Sequence, residues 1–121
     1  MHFQSHAALG WLIGNAAPAS DRRLRAWCTA AAVLPDVEGL AYLAGPGAFS
    51  AWHHTFGHNA CVGAAAAALA VWHHRDRPWA RRVLAGALVA TAFLSHLVTD
   101  TLLSEYAVYP LWPVKTPLWQ P

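Results

Sequence analysis

Three imidazoles lie within six residues in the stretch Trp52-His53-His54-Thr55-Phe56-Gly57-His58-Asn59, in a chain of which only 12% of residues are charged. Histidine titrates near neutral pH and is the commonest metal ligand among side chains. Gly57 lets the backbone turn sharply and Asn59 suits a helix N-cap, so the stretch reads as a ligand-bearing loop that feeds into a helix. Other groups of the same chemistry stand apart from it: His6, Asp36 and Glu38 after Pro35, and His96 with Asp100. His96 and Asp100 are four residues apart and share one helix face, where an imidazole and a carboxylate can hold one divalent ion together. Each has a plainer reading alone: His6 as a first-turn histidine, Asp36 as a turn residue, His96 and Asp100 as a hydrogen-bonded core pair.

The elements that must position these groups are helical. Helix one reads from His6 to Ala17, with Ser5 as its cap and Pro18 as its stop. Ser20 caps a second helix that runs from Asp21 to Leu34, and Pro35 ends it. A short helical turn over Glu38 to Leu43 is followed by the breaker Gly45-Pro46-Gly47. Helix three runs from Ala60 to about His74 on a run of alanines, the best helix formers. Helix four runs from Pro78 to Leu103, and a tail rich in proline and tryptophan follows from Ser104 as an irregular arm. The expected fold is all-α: an up-down antiparallel bundle of about four helices in a single domain over residues 1–121. The length matches one core. No repeat and no β-alternation is visible.

Short connections between consecutive helices favour the up-down order, and that order has a consequence. The start of helix one, the end of helix two, the start of helix three and the end of helix four fall at one pole. His6, Asp36 and Glu38, the histidine loop, and His96 with Asp100 therefore meet there. The other pole collects Arg22, Arg23, Arg25, Arg75, Arg77, Arg81 and Arg82, seven of the eight Lys/Arg. In a membrane protein this asymmetry would put the basic pole in the cytoplasm; in a soluble protein it is a solvated end.

Buried carboxylates are usually paired or bound to a cation, so four elements converging His and Asp read as a metal site. Mixed imidazole and carboxylate ligands suit zinc, and also manganese or iron. The candidates, His6, Asp36, His53, His58, His96 and Asp100, outnumber the four ligands of one tetrahedral ion, which points to two ions or to one ion with supporting carboxylates. An ion with an open position makes a water acidic enough to attack an ester near neutral pH, with Glu38, Asp36 or His54 as proton acceptor. His73 and His74 lie at the far pole and read as solvent-facing or interfacial.

Other chemistry is excluded or left open. There is no Gly-x-Ser-x-Gly, His-Glu-x-x-His or phosphate-cradling glycine loop. Cys28 and Cys61 form no Cys-x-x-Cys pair and read as two buried thiols. A net charge of +2 is too small to argue for nucleic acid. The N-terminus lacks the basic region of a signal peptide. A hydrophobic fraction of 56% exceeds the usual 45–50% or so, yet the longest apolar run, Val83 to Val98, falls short of the ~20 residues of a comfortable span. A soluble bundle and a short-helix membrane protein both remain open. An apolar helical surface allows a homo-oligomer, although no heptad seam specifies one.

The ordered set His6, Pro35-Asp36-Val37-Glu38, His53 to Asn59, His96-Leu-Val-Thr-Asp100 and Pro110-Leu-Trp-Pro113 resembles the bacterial YdjM-like family, described as inner-membrane, metal-dependent hydrolases. The resemblance covers most of the chain. It implies a metal role for His6 and Asp36, for the loop histidines His53 and His58, and for His96 and Asp100. Glu38 stands where the family usually has a second aspartate, His54 where arginine is common, and Leu103-Ser104-Glu105-Tyr106 where Thr-Pro-x-Gly is common. The pattern is also distantly similar to zinc-dependent phospholipase C. The expectation is a membrane-associated metal-dependent hydrolase, zinc before manganese or iron, acting on an ester, phosphoester or lipid-like ester. The alternative is a non-catalytic membrane or interaction protein with a structural His/Asp site.

Overall fold

A computed structural model describes residues 2–17, 21–105, 107–114 and 116–118. Among them all regular structure is helical: α1 (Phe3–Asn15), α2 (Arg22–Val33), a 3-10 segment (Leu34–Ala44), α3 (Pro46–Trp52), α4 (Ala60–His73) and α5 (Trp79–Leu103). α1 begins three residues earlier than expected, capped by the backbone of His2, so that Ser5 lies inside it. Pro18 and Ser20 lie outside the described residues. The cap of α2 is Asp21, whose side chain accepts from the Leu24 N–H. Asn59 caps α4 as expected, accepting from the Cys61 N–H.

Between α2 and α4 the chain carries more helix than expected. Pro35 does not end the helical path; it tightens it into a 3-10 helix of 11 residues that contains Asp36 and Glu38. Gly45 ends that helix at φ 110°, a conformation open to glycine. Pro46 then starts α3 at its first position, where a missing N–H costs nothing.

Long-range contacts fix an up-down order. The Arg23 side chain at the start of α2 donates to the His73 carbonyl and to Asp76 just beyond α4, and Arg77 donates to Asp21. At the opposite pole the His96 ring near the end of α5 meets the Ala32 carbonyl near the end of α2. α1 packs chiefly on α2, and α4 on α5. Gly10 and Gly14 let α1 approach α2: a Cβ on Gly10 would stand 2.6 Å from the Ala32 Cβ and the Cys28 carbonyl oxygen. Gly63 serves α4 in the same way against the Phe93 ring. The core runs through Cys28, Ala32, Ala70, Val89, Ala92 and Phe93.

α5, with 25 residues, is long and apolar enough to cross a membrane. It continues as one helix through His96 and Asp100, well past the apolar run that the sequence delimits at Val98. Trp11, Leu12, Leu69, Trp72, Leu94 and Val98 are each more than half exposed on the bundle surface. The arginine pole is decorated as an interface, with Arg75 over the Trp72 ring and Arg82 over the Trp79 ring. Two minor expectations are corrected there and in the core. His74 is buried, because its Nδ1 turns back 2.8 Å from the Ala70 carbonyl oxygen at the end of α4. Cys28 is buried but Cys61, in the first turn of α4, is exposed.

Candidate metal centre

Three elements deliver imidazoles to one carboxylate, and a fourth adds a second carboxylate. α5 supplies Asp100, three per cent exposed, and His96 one turn earlier. α1 supplies His6, with Nε2 3.1 Å from Asp100 Oδ1. The loop before α4 supplies His54 and His58, with Nε2 atoms 3.4 and 3.5 Å from Asp100 Oδ2. His96 Nε2 is 3.2 Å from the same oxygen. The 3-10 helix adds Asp36, with Oδ1 3.8 Å from His96 Nε2. His6, His54, His58 and His96 are all fully buried or within one per cent of it.

The far side of each ring decides which nitrogen faces inward. His96 Nδ1 lies 2.6 Å from the Ala32 carbonyl oxygen, which can only accept, so that nitrogen carries the proton. His58 Nδ1 lies 3.0 Å from Glu38 Oε2. Glu38 accepts from the Gly57 N–H and from the Thr55 N–H at 3.2 Å. Burial alone would raise the Glu38 pKa, but His58 and those backbone donors outweigh it and hold the carboxyl below its ordinary value. Burial opposes a charge on His58, but Asp100 and Glu38 outweigh it and raise its pKa. His6 stacks on His96 with ring centroids 3.7 Å apart, and its Nδ1 lies 3.5 Å from the Thr99 hydroxyl.

This arrangement has a surplus of acceptors. In their neutral forms, with Nδ1 protonated, His58 and His96 present lone pairs at Nε2. Those two nitrogens are 3.1 Å apart, and both face Asp100 Oδ2. Asp36 Oδ2 is buried with no hydrogen-bond partner among the described residues, and His6 Nε2 has Asp100 Oδ1 as its neighbour at 3.1 Å. Buried acceptors that face one another need a proton or a cation between them. The ligand atoms fall into two groups with metal-site spacing: His6, Asp36, His96 and Asp100, and His54, His58 and Asp100.

The loop owes its shape to three restraints. His54 adopts φ 62°, an uncommon conformation for a residue with a side chain. It turns the His54 ring into the cluster, while the adjacent His53 ring stacks on Phe49 with centroids 4.3 Å apart. His54, not His53, is therefore the neighbour of Asp100; the spacing from His53 to His58, which suggested a ligand pair, does not bring both into one ligand group. Gly57 sits against the 3-10 helix, where a Cβ would approach the Pro35 carbonyl oxygen to 2.9 Å. The C-terminal arm clasps the loop from outside: Tyr109 N–H donates to the His54 carbonyl, Ala60 N–H to the Pro110 carbonyl and the Asn59 side chain to the Trp112 carbonyl. Sequence reading gave the arm no role in the site; the proline-tryptophan run at 110–113 was the only signal.

Glu38, read as a proton acceptor, is placed behind His58 with its oxygens already engaged by Gly57, Thr55 and His58. Asp36 and His54 line an open cavity of about 440 Å³, together with His53, Asp100, Leu103 and Glu105. The centre is thus buried at its core and reachable from one side.

Comparison with curated proteins and with solved structures found no match. The family model for YdjM inner membrane proteins matches residues 1–120, the whole length of the bundle and its arm. The membrane-length α5 and the apolar outer surface agree with that placement. The chain is a member of the YdjM family of inner membrane proteins.

Proposed function

We propose that the cluster binds a divalent metal and that the protein is a membrane-associated metal-dependent hydrolase. The observation that carries this reading is the set of mutually facing acceptors, His58 Nε2, His96 Nε2 and Asp100 Oδ2, in which the Nδ1 of each histidine is already committed as a donor. Four imidazoles and two carboxylates form a nitrogen and oxygen set that suits zinc, then manganese or iron. Glu38 and the Ala32 carbonyl would fix the tautomers of His58 and His96, as supporting groups do around histidine ligands. A divalent ion there supplies Lewis acidity and a water acidic enough to attack an ester near neutral pH.

The chain's own residues provide the rest. Asp36 and His54 border both the cluster and the open cavity, so either can take a proton from a group bound at the boundary. The buried rings of His6 and His96 exclude water from the inner side. The substrate class is an ester or phosphoester. An apolar cavity of about 360 Å³, walled by Leu34, Val37, Trp52 and Phe56, borders the other side of Glu38 and Gly57 and supports a lipid-like substituent.

The test is metal content and hydrolysis on the same full-length protein purified in detergent. Transition metal retained by plasma mass spectrometry, with turnover of chromogenic ester or phosphoester substrates that chelation abolishes and zinc restores, supports the reading. Less than about 0.2 equivalents of metal after zinc loading and desalting refutes it. The alternative, a non-catalytic structural site, is favoured by the way the cluster ties together α1, α5, the 3-10 helix and the loop. Asp36→Asn separates the two: a catalytic site loses turnover at an almost unchanged Tm, and a structural site loses Tm.

A further inference from the structure

We infer that the centre is built for two metal ions bridged by the Asp100 carboxylate. The inference deepens the metal-dependent reading and rests on it. Six side chains contribute inward-facing atoms, two more than a tetrahedral zinc takes. The spacing of those atoms adds to the count. Ligands of one ion sit about 2.0–2.2 Å from it, so even opposite ligands are within roughly 4.4 Å of each other. The ligand atoms here separate into two sets, each mutually within 4.8 Å: His6, Asp36 and His96 with Asp100, and His54 and His58 with Asp100. The two sets abut where His58 and His96 meet, with Nε2 atoms 3.1 Å apart, and together they hold more ligand atoms than one tetrahedral ion takes.

Asp100 alone belongs to both sets, with Oδ1 turned to His6 of the first and Oδ2 to histidines of both. Oδ1 faces His6 at 3.1 Å. Oδ2 faces His54 and His58 at 3.4 and 3.5 Å. His96 also approaches Oδ2, at 3.2 Å, and its Nε2 stands 3.1 Å from that of His58, at the seam between the sets. A carboxylate that offers one oxygen to each side is the usual bridge of paired-ion hydrolytic sites, in which the ions stand about 3.5–4 Å apart.

The two sides also differ in character. The first set has four protein ligands, which completes a tetrahedron, with His6 stacked on His96. The second has three, which leaves a position open, and His54 borders the cavity. The assignment is therefore one position filled by four protein ligands and one left open with three. It also gives the unusual backbone of His54 a purpose, since φ 62° is what brings a second imidazole, and so a third ligand, to the second set.

Metal stoichiometry tests this without reference to turnover. Metal-free full-length protein in detergent is titrated with Zn²⁺ by calorimetry, and in parallel loaded with Mn²⁺ for electron paramagnetic resonance. The expected result is two equivalents per chain and an exchange-coupled manganese spectrum. His54→Ala retains one equivalent and shows an uncoupled spectrum, and His6→Ala retains a different single equivalent of altered affinity. One equivalent in the wild type, with an uncoupled spectrum, overturns the two-ion inference and leaves the metal reading standing. No bound metal overturns both. Because the wild-type titration decides the count, a variant that fails to fold, judged by circular dichroism, does not obscure the answer.

Discussion

Glu38→Gln is the sharpest perturbation of the centre, because it changes one atom and no volume. Glu38 accepts on both oxygens: Oε1 from the Gly57 N–H and the Thr55 hydroxyl, Oε2 from the Thr55 N–H and, at 3.0 Å, from His58 Nδ1. An amide has one oxygen and one NH2 group. Keeping its oxygen toward His58 sets N–H against the Gly57 N–H. Keeping its oxygen toward Gly57 sets N–H against His58 Nδ1, which drives the imidazole proton to Nε2, the atom aimed at Asp100. Either outcome removes a charge-assisted hydrogen bond, worth about 1.5–3 kcal/mol, and the second also removes a metal lone pair. Substitutions of such supporting groups typically cost about 10- to 100-fold in metal affinity, or about 1.4–2.8 kcal/mol. Zinc affinity is read by competition with a chromophoric chelator, and folding by thermal unfolding of the metal-free protein. Unchanged zinc affinity in a folded Glu38→Gln protein would refute the claim that His58 Nε2 is a ligand presented by Glu38.

Other outcomes follow from single contacts. Gly10→Ala drives a methyl group into the Ala32 Cβ and the Cys28 carbonyl oxygen, both 2.6 Å away; overpacking of this kind costs about 1–3 kcal/mol, so the metal-free Tm falls, and zinc affinity falls with it because α1 carries His6. In the metal-free protein, His58 is raised and Glu38 lowered. The His58 contribution is complete below its unfolded value of about 6.5 and is lost as pH rises through its raised value, while the Glu38 contribution is present above about 4.3 and lost as pH falls through its lowered one. A pH series of metal-free Tm therefore peaks between these limits, and zinc lifts the alkaline side most, since a ligand imidazole must shed its proton. Maleimide modifies one thiol in the native protein, the exposed Cys61, and a second, Cys28, only after denaturation; two native reactive thiols would contradict the packing of α1 on α2.

Local chemistry was enough to place the helices and their poles. Asn59 caps α4, the alanine run fills it, and the four-residue spacing of His96 and Asp100 on α5 puts both on one face. Short connections then brought His6, Asp36, the histidine loop and Asp100 to one end, as the geometry bears out. What sequence could not decide is the direction in which individual side chains point. His53 and His54 are neighbours of the same type, and only the backbone turn at φ 62° sends one into the cluster and the other onto Phe49. The continuation of helical backbone past Pro35 puts Glu38 behind His58, and the clasp of Tyr109, Pro110 and Trp112 holds the loop from a segment some fifty residues away. Spacing along the chain governs contacts a few residues apart. The hub at Asp100 is assembled from hydrogen bonds and packing that cross most of the chain, and those exist only once the tertiary structure has formed.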